Sequence, residues 1–155
     1  NGKTTTTSLL GEIMKNARDS VFVVGNIGTP YTNAAADTRE DSVIVAELSS
    51  FQLESIHTFH PKVSAVLNIT PDHLNRHHTM EAYIRAKMNI AKNQTPEDIC
   101  VLNYEDEETR KMADEFQASV LFFSSKHKLE QGGKGERRNG HLQDRRITDP
   151  WRPQL

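Results

Sequence analysis

The sequence predicts an α/β fold: a mostly parallel sheet with helices on both faces. Three observations carry that prediction. Short continuous apolar runs recur along the chain, as in strands buried on both faces. Segments between them carry apolar residues at helical spacing. Polar and glycine-containing clusters directly follow the apolar runs, and in parallel α/β sheets ligands bind beyond the carboxyl ends of the strands.

The chain opens Asn1-Gly2-Lys3-Thr4-Thr5, the second half of the phosphate-binding pattern G-x-x-x-x-G-K-[ST]. In that loop, glycine lets backbone N–H groups close around phosphate oxygens. The lysine reaches the β/γ-phosphates and the hydroxyl binds Mg²⁺. The same few residues also occur in exposed turns. Leu9, Leu10, Ile13 and Met14 form an apolar stripe at helical spacing, which predicts a helix over residues 4–17 with its N-terminus at the loop. The first half of the pattern is absent, so the chain is expected to be a fragment.

Strands are predicted over residues 21–24, 42–48, 63–69, 99–102 and 119–123, and further helices over 31–36, 79–93 and 106–117. Gly25-Asn26-Ile27-Gly28 follows the first strand. Asn26 is either a turn former or an amide aimed at a substrate, with the glycines allowing close approach of backbone and ligand. Glu47 ends the second strand. In a phosphate-loop protein it is placed like a Mg²⁺ carboxylate, or it is an ordinary acid before a helix begun by Ser49 and Ser50. Asp72-His73 follows the third strand and is expected on the same sheet edge, His73 being structural or a ligand. His77 and His78 read as exposed residues at a helix entry. Lys87 shares a helix face with Tyr83, Ile84, Ile90 and Ala91. It is either a snorkelling surface lysine or a functional amine with a lowered pKa.

The 155 residues suit one domain with a real core. A formal charge of −2 gives no electrostatic case for nucleic acid or an anionic membrane. The single cysteine, Cys100, lies in an apolar run and reads as a buried strand residue without an internal disulfide. The sequence has no signal peptide and no run long enough to span a bilayer, so the cytoplasm is the expected compartment. Hydrophobic residues make up 35% and mean hydropathy is −0.64, low enough to suggest that part of the chain does not pack. The tail from Gly132 is that part: it lacks apolar periodicity and carries Arg137, Arg138, Arg145, Arg146 and Arg152.

Five motifs in this order resemble the central ATPase domain of the Mur ligases. They are Asn1-Gly2-Lys3-Thr4-Thr5, Gly25-Asn26-Ile27-Gly28, the run from Glu47 through Glu54 (ELSSFQLE), the run from Leu67 through Leu74 (LNITPDHL), and Tyr83-Ile84-Arg85-Ala86-Lys87. The resemblance covers residues 1–131 as a partial central ATP-binding domain, truncated at both ends. The second and third motifs are similar to those of the member that joins D-glutamate to UDP-N-acetylmuramoyl-L-alanine in peptidoglycan synthesis.

The resemblance implies roles. Asn1, Gly2, Lys3, Thr4 and Thr5 would hold ATP, with Lys3 on the β/γ-phosphates. Thr4, Glu47 and His73 would serve two Mg²⁺ ions, and Lys87 would be carbamylated, an anion beside metal. Lys3, Glu47, His73 and Lys87 would form the catalytic set. Asn26, Ser49, Gln52 and His73 would face the UDP-muramoyl substrate. Asn75 departs from the family's Asp-His-x-Asp-Arg-His, while Arg76 and His77 persist; a mild effect is expected. The implied reaction runs from ATP through an acyl phosphate, with D-glutamate's amine attacking. Partners would be those three substrates and the enzyme's own N- and C-terminal domains. The isolated 155 residues are expected to be inactive.

The tail carries a further expectation. Back-translated with permitted codons and read one nucleotide later, residues 133–140 give Val-Lys-Val-Asn-Asp-Gly-Met. Residues 141–155 give Ile-Tyr-Lys-Thr-Glu-Glu-Ser-Pro-Ile-Leu-Gly-Ala-His-Asn, ending in the family's Leu-Gly-x-His-Asn linker motif. Residues 132–155 are therefore expected to be a frameshifted, non-native tail; a natural basic extension is the alternative. Other functional readings are a different Mur ligase, a folylpolyglutamate synthase-like ligase, or a phosphate-loop ATPase or kinase that makes no amide bond.

Overall fold

The computed structural model describes residues 1–71 and 74–129. Two compact units divide the chain, residues 1–56 and a second beginning at His57. The tail expectation for residues 132–155 lies outside the described residues.

The first unit runs α1 (Lys3–Lys15), β1 (Val21–Gly25), α2 (Tyr31–Ala34), β2 (Val43–Glu47) and α3 (Ser50–Glu54). β1 and β2 pair in parallel from Val21↔Val43 to Gly25↔Glu47, so Gly25 and Glu47 end the two strands side by side. α1 packs on both strands. Its buried residues are Thr7 and Gly11, one turn apart, whereas Leu9, Leu10 and Ile13 are exposed. The apolar stripe read from the sequence is thus not the face that meets the sheet. The reason is distance. A methyl at Gly11 would lie 2.4 Å from Val23 Cγ2, so this approach needs the residue with no side chain.

The second unit holds β3 (Val63–Val66), α4 (Leu74–His77), α5 (Met80–Met88), a 3₁₀ turn (Asn89–Ala91), β4 (Ile99–Asn103), α6 (Glu107–Met112) and β5 (Ser119–Phe123). The three strands form a parallel sheet in the order β3-β4-β5. Ser64, Val66, Cys100, Leu102 and Val120 alternate onto its buried face. There they join Tyr83, Ala91, Met112, Ala113 and Phe116 from the helical segments and Ala118 just before β5. Parallel α/β architecture is as the sequence predicted, but the strands fall into two sheets, β1-β2 and β3-β4-β5. β3 pairs with β4; Asp72-His73, expected on a common sheet edge, lies outside the described residues.

Helix ends follow local chemistry. Thr79 caps α5 by accepting the Ala82 N–H, and Asp106 caps α6 by accepting that of Thr109. Glu107 and Glu108 open α6 while Arg110 and Lys111 close it, each sign at the favourable end of the helix dipole. The helix predicted over 79–93 tightens to 3₁₀ at Asn89, and its end anchors the entry to β3. Asn93 donates to the carbonyls of His57 and Phe59 at 2.8 Å each. Buried Gln94 accepts from Ser64 Oγ at 2.8 Å and donates to the Pro61 and Ile99 carbonyls at 2.9 and 3.1 Å, so its amide is satisfied at both ends.

Asp98 is fully buried where β4 begins. Burial pushes its carboxyl up, but hydrogen bonds from His60, the Thr95 N–H, Lys62 and the Thr95 hydroxyl outweigh it and hold the group well below the usual carboxylate range. Cys100 is likewise fully buried, and burial raises its thiol pKa.

Candidate functional site

Gly2, in the left-handed conformation at φ 80°, turns the chain into α1. Lys3 and Thr4 therefore occupy the first turn of the helix, where unpaired N–H groups and the dipole favour an anion. Lys3 is half-buried and Thr4 exposed.

Glu47 is the buried centre of this unit's site, only 3% exposed. The Thr4 hydroxyl donates to its Oε2 at 2.8 Å, and Asn26 Nδ2 donates to its Oε1 at 3.2 Å. Among the described residues no lysine, arginine or histidine pairs with it. Neutral donors do not compensate a carboxylate's charge, and a buried charge is costly unless a cation balances it. Hydroxyl and carboxylate oxygens side by side are the hard donors that suit Mg²⁺, which needs few protein ligands when phosphates and waters supply the rest. The residues present thus fit a Mg²⁺–nucleotide site. Among the described residues no cluster of three or more His, Cys, Asp or Glu forms a metal site by itself.

The turn after β1 closes tightly on Glu47. Gly25 has φ 98°, and a methyl there would fall 2.1 Å from the Glu47 carbonyl oxygen. The Asn26 N–H donates to that oxygen at 2.8 Å, while the Gly25 N–H donates to the Thr29 carbonyl at 2.7 Å. Close approach at this glycine is between two strand ends.

Ser49 and Gln52 are engaged with each other. The Gln52 N–H donates to Ser49 Oγ at 3.3 Å and the Ser49 N–H to Gln52 Oε1 at 2.9 Å, a reciprocal cap on α3. The helix expected from Ser49-Ser50 therefore forms, and Glu47 both precedes a cap and sits against Thr4. Gln52 remains exposed.

In the second unit, Lys87 is half-buried on α5 with Nζ 4.9 Å from the centroid of the Tyr83 ring. The apolar face read from the sequence is real: Tyr83 and Ala91 are buried, Ile84 and Ile90 half-buried. His77, expected to be exposed, is instead 7% exposed, its ring tilted 52° on Tyr83 at 5.3 Å. Tyr83 draws it inward, since two flat rings bury more area together than apart. His78 takes the exposed position, at φ 65°. Tyr83 is thus bracketed by His77 and Lys87, a grouping the sequence pattern did not signal. His73 lies outside the described residues, so the site it was expected to share is not described.

The loop leading from β3 toward that histidine is fixed from β4 and α6. Asn103 donates to the Leu67 carbonyl at 3.0 Å, and the Ile69 N–H donates to Asp106 at 2.7 Å. Neither Asn103 nor Asp106 stood out in the sequence, because each reads as an ordinary turn or cap residue.

Residues 1–147 match the family model described as the Mur ligase middle domain. Among curated relatives, the UDP-N-acetylmuramoylalanine–D-glutamate ligase of Lachnoclostridium phytofermentans is 66% identical over 132 residues, 85% of this chain and 29% of that protein. The ligase of the same name from Clostridioides difficile is 61% identical over the same shares. That of Caldanaerobacter subterraneus matches over 147 residues at 48% identity, 95% of this chain and 33% of that protein. The chain thus spans about a third or less of the relatives it matches. Among solved structures, the MurF ligase of Thermotoga maritima in complex with ADP superimposes with TM-score 0.63 at 27% identity, over 86% of this chain and 32% of that one.

Proposed function

The chain belongs to the Mur ligase family as a middle domain, and from that premise we propose that it is the ATP-binding part of a ligase joining D-glutamate to UDP-N-acetylmuramoyl-L-alanine. The observation that carries the reading is the buried Glu47 carboxylate, held by Thr4 and Asn26 with no cationic partner among the described residues. High identity to ligases of that name favours D-glutamate over the other amino acids.

In this reading Lys3 and the N–H groups opening α1 bind the ATP phosphates. Thr4 and Glu47 are the residues that would hold Mg²⁺, with His73 and a carbamylated Lys87 serving a second ion. Bound there, Mg²⁺ supplies charge compensation for phosphoryl transfer. The γ-phosphoryl group passes from ATP to the terminal carboxylate of the muramoyl substrate, giving an acyl phosphate and ADP. The amine of D-glutamate attacks the acyl carbon, and the tetrahedral intermediate expels phosphate as the amide forms. Lys3 stabilises the charge on the transferring group. Asn26, Ser49, Gln52 and His73 orient the muramoyl substrate. Such chemistry belongs in the cytoplasm, where ATP is available, and among the described residues no helix is long and apolar enough to cross a membrane.

The test is phosphate release by the full-length ligase that carries this domain. It should require both UDP-N-acetylmuramoyl-L-alanine and D-glutamate. ATP hydrolysis indifferent to D-glutamate would instead favour a phosphate-loop ATPase. The 155 residues alone should form no amide product.

Residues 132–155 are read here as a frameshifted tail. Several relatives match over 132 residues, in support, whereas the family model matches through residue 147 and one relative matches over 147 residues. Sequencing the encoding DNA decides: no single-base change restoring the Leu-Gly-Ala-His-Asn frame means a genuine extension.

A further inference from the structure

We propose that Asn26 is a positioning residue for the Glu47 carboxylate, fixing the plane in which it meets a divalent cation. The inference rests on the reading of Glu47 as a Mg²⁺ carboxylate. Asn26 holds Glu47 twice, through its N–H to the Glu47 carbonyl at 2.8 Å and through Nδ2 to Oε1 at 3.2 Å. Gly25 makes this possible, since any side chain there would strike the Glu47 backbone.

The terminal torsion of a glutamate is broad and nearly two-fold, so burial alone leaves the carboxylate plane loosely set. Here each oxygen receives one donor from a different element. Thr4 reaches Oε2 from α1, and Asn26 reaches Oε1 from the turn after β1. Two fixed donors define the plane. Each carboxylate oxygen can accept more than one hydrogen bond, so capacity remains on both for a cation. Neutral donors suit the task, because an arginine or lysine in the place of Asn26 would neutralise the charge that the cation needs. Partners of this kind typically govern metal affinity as strongly as some ligands do.

The reading differs from a substrate contact in a measurable way. A residue that only touches the muramoyl substrate has no effect on metal binding before that substrate arrives. The experiment is Mn²⁺ binding by the full chain with ADP and no muramoyl substrate, followed by the electron paramagnetic resonance of free Mn²⁺. Asn26→Ala should weaken Mn²⁺ by about ten-fold or more. Asn26→Ser, which keeps a turn-forming residue but cannot reach Oε1, should do the same. Asn26 is exposed and its backbone bond needs no side chain, so both variants should stay folded, with a midpoint lowered only by the loss of one hydrogen bond to the buried carboxylate.

Glu47→Gln is the reference. If it weakens Mn²⁺ while both Asn26 variants bind as wild type, the positioning role is wrong and the Glu47 reading stands. If Glu47→Gln also binds as wild type, the metal reading fails and the inference falls with it.

Discussion

The Asp106 carboxylate ties two segments together, taking the Ile69 N–H at 2.7 Å on Oδ2 and the Thr109 N–H at 3.1 Å on Oδ1. One oxygen caps α6 and the other fixes the loop that leaves β3. The two functions separate by mutation. Asp106→Ser retains a capping oxygen but is too short to serve both donors. Asp106→Ala loses the cap, worth about 1 kcal/mol, and leaves the Ile69 N–H without its partner, about 1–2 kcal/mol more. Urea unfolding should rank wild type above Asp106→Ser and that above Asp106→Ala. Equal stability of the two variants would show that only the Ile69 bond matters.

Gly25→Ala should be severely destabilising. It places a methyl 2.1 Å from a backbone oxygen that cannot step aside, at φ 98° where alanine is already strained. The conformational cost alone is about 1–3 kcal/mol, and the clash adds to it. Thermal unfolding measures the total, and an unchanged midpoint would refute the contact.

Gly11→Ala makes a different case, because the obstacle is the tip of a side chain, Val23 Cγ2. Alanine gains up to about 1 kcal/mol in helix propensity, against an overpacking cost of about 1–3 kcal/mol. The net effect should be destabilising. Val23→Ala removes the obstructing methyl, so the double variant should be more stable than the sum of the single changes implies. Strict additivity in that cycle would mean that α1 does not approach β1 at Gly11.

The Asp98 carboxyl gives the second unit an acid-sensitive anchor. Its folded pKa lies below the unfolded value, so the folded state favours the ionised form. The stability this contributes is complete above the unfolded carboxylate pKa of about 3.9 and is lost as pH falls below it toward the folded pKa. Asp98→Asn should be less stable than wild type at pH 7, by on the order of 2–3 kcal/mol for a buried charged hydrogen-bond acceptor. The gap should narrow as the pH falls through the unfolded pKa. A gap independent of pH would rule out the ionised form as the stabilising one.

Lys87 offers a direct test of the carbamate reading. Incubation of the protein with ¹³C-bicarbonate should give a carbamate carbon resonance that disappears in Lys87→Arg. Carbamylation replaces a cation by an anion, and so also gives up the attraction between Nζ and the Tyr83 ring. No resonance in the presence of Mg²⁺ and nucleotide would leave Lys87 as an ordinary amine on α5.

Strands and helices were legible where pattern and packing agree. The run Ser119-Val120-Leu121-Phe122-Phe123 became β5 over those same residues, and Val21–Gly25 exceeded its prediction by one residue. The stripe on α1 misled because helix–sheet distance there is set by Thr7 and Gly11, which carry no hydrophobic signal. His77 misled for the converse reason: a polar residue was drawn inward by a ring six positions along the chain. At the site, Glu47 and Thr4 were legible individually, and the Thr4–Glu47 contact lies 43 residues apart in sequence. The bond from Asn26 to Glu47 was not foreseen, because nothing in a Gly-Asn-Ile-Gly turn says which neighbour its amide will meet.

Cys100 gives this protein a built-in clock. The only thiol in the chain sits at 0% exposure in the central strand of the three-stranded sheet, and burial keeps it protonated. A thiol reagent reaches it only when that strand is uncovered. Its labelling rate in native buffer therefore times the opening of the second unit, with no engineered probe. The first unit holds no thiol, so the labelled site is in the second unit alone.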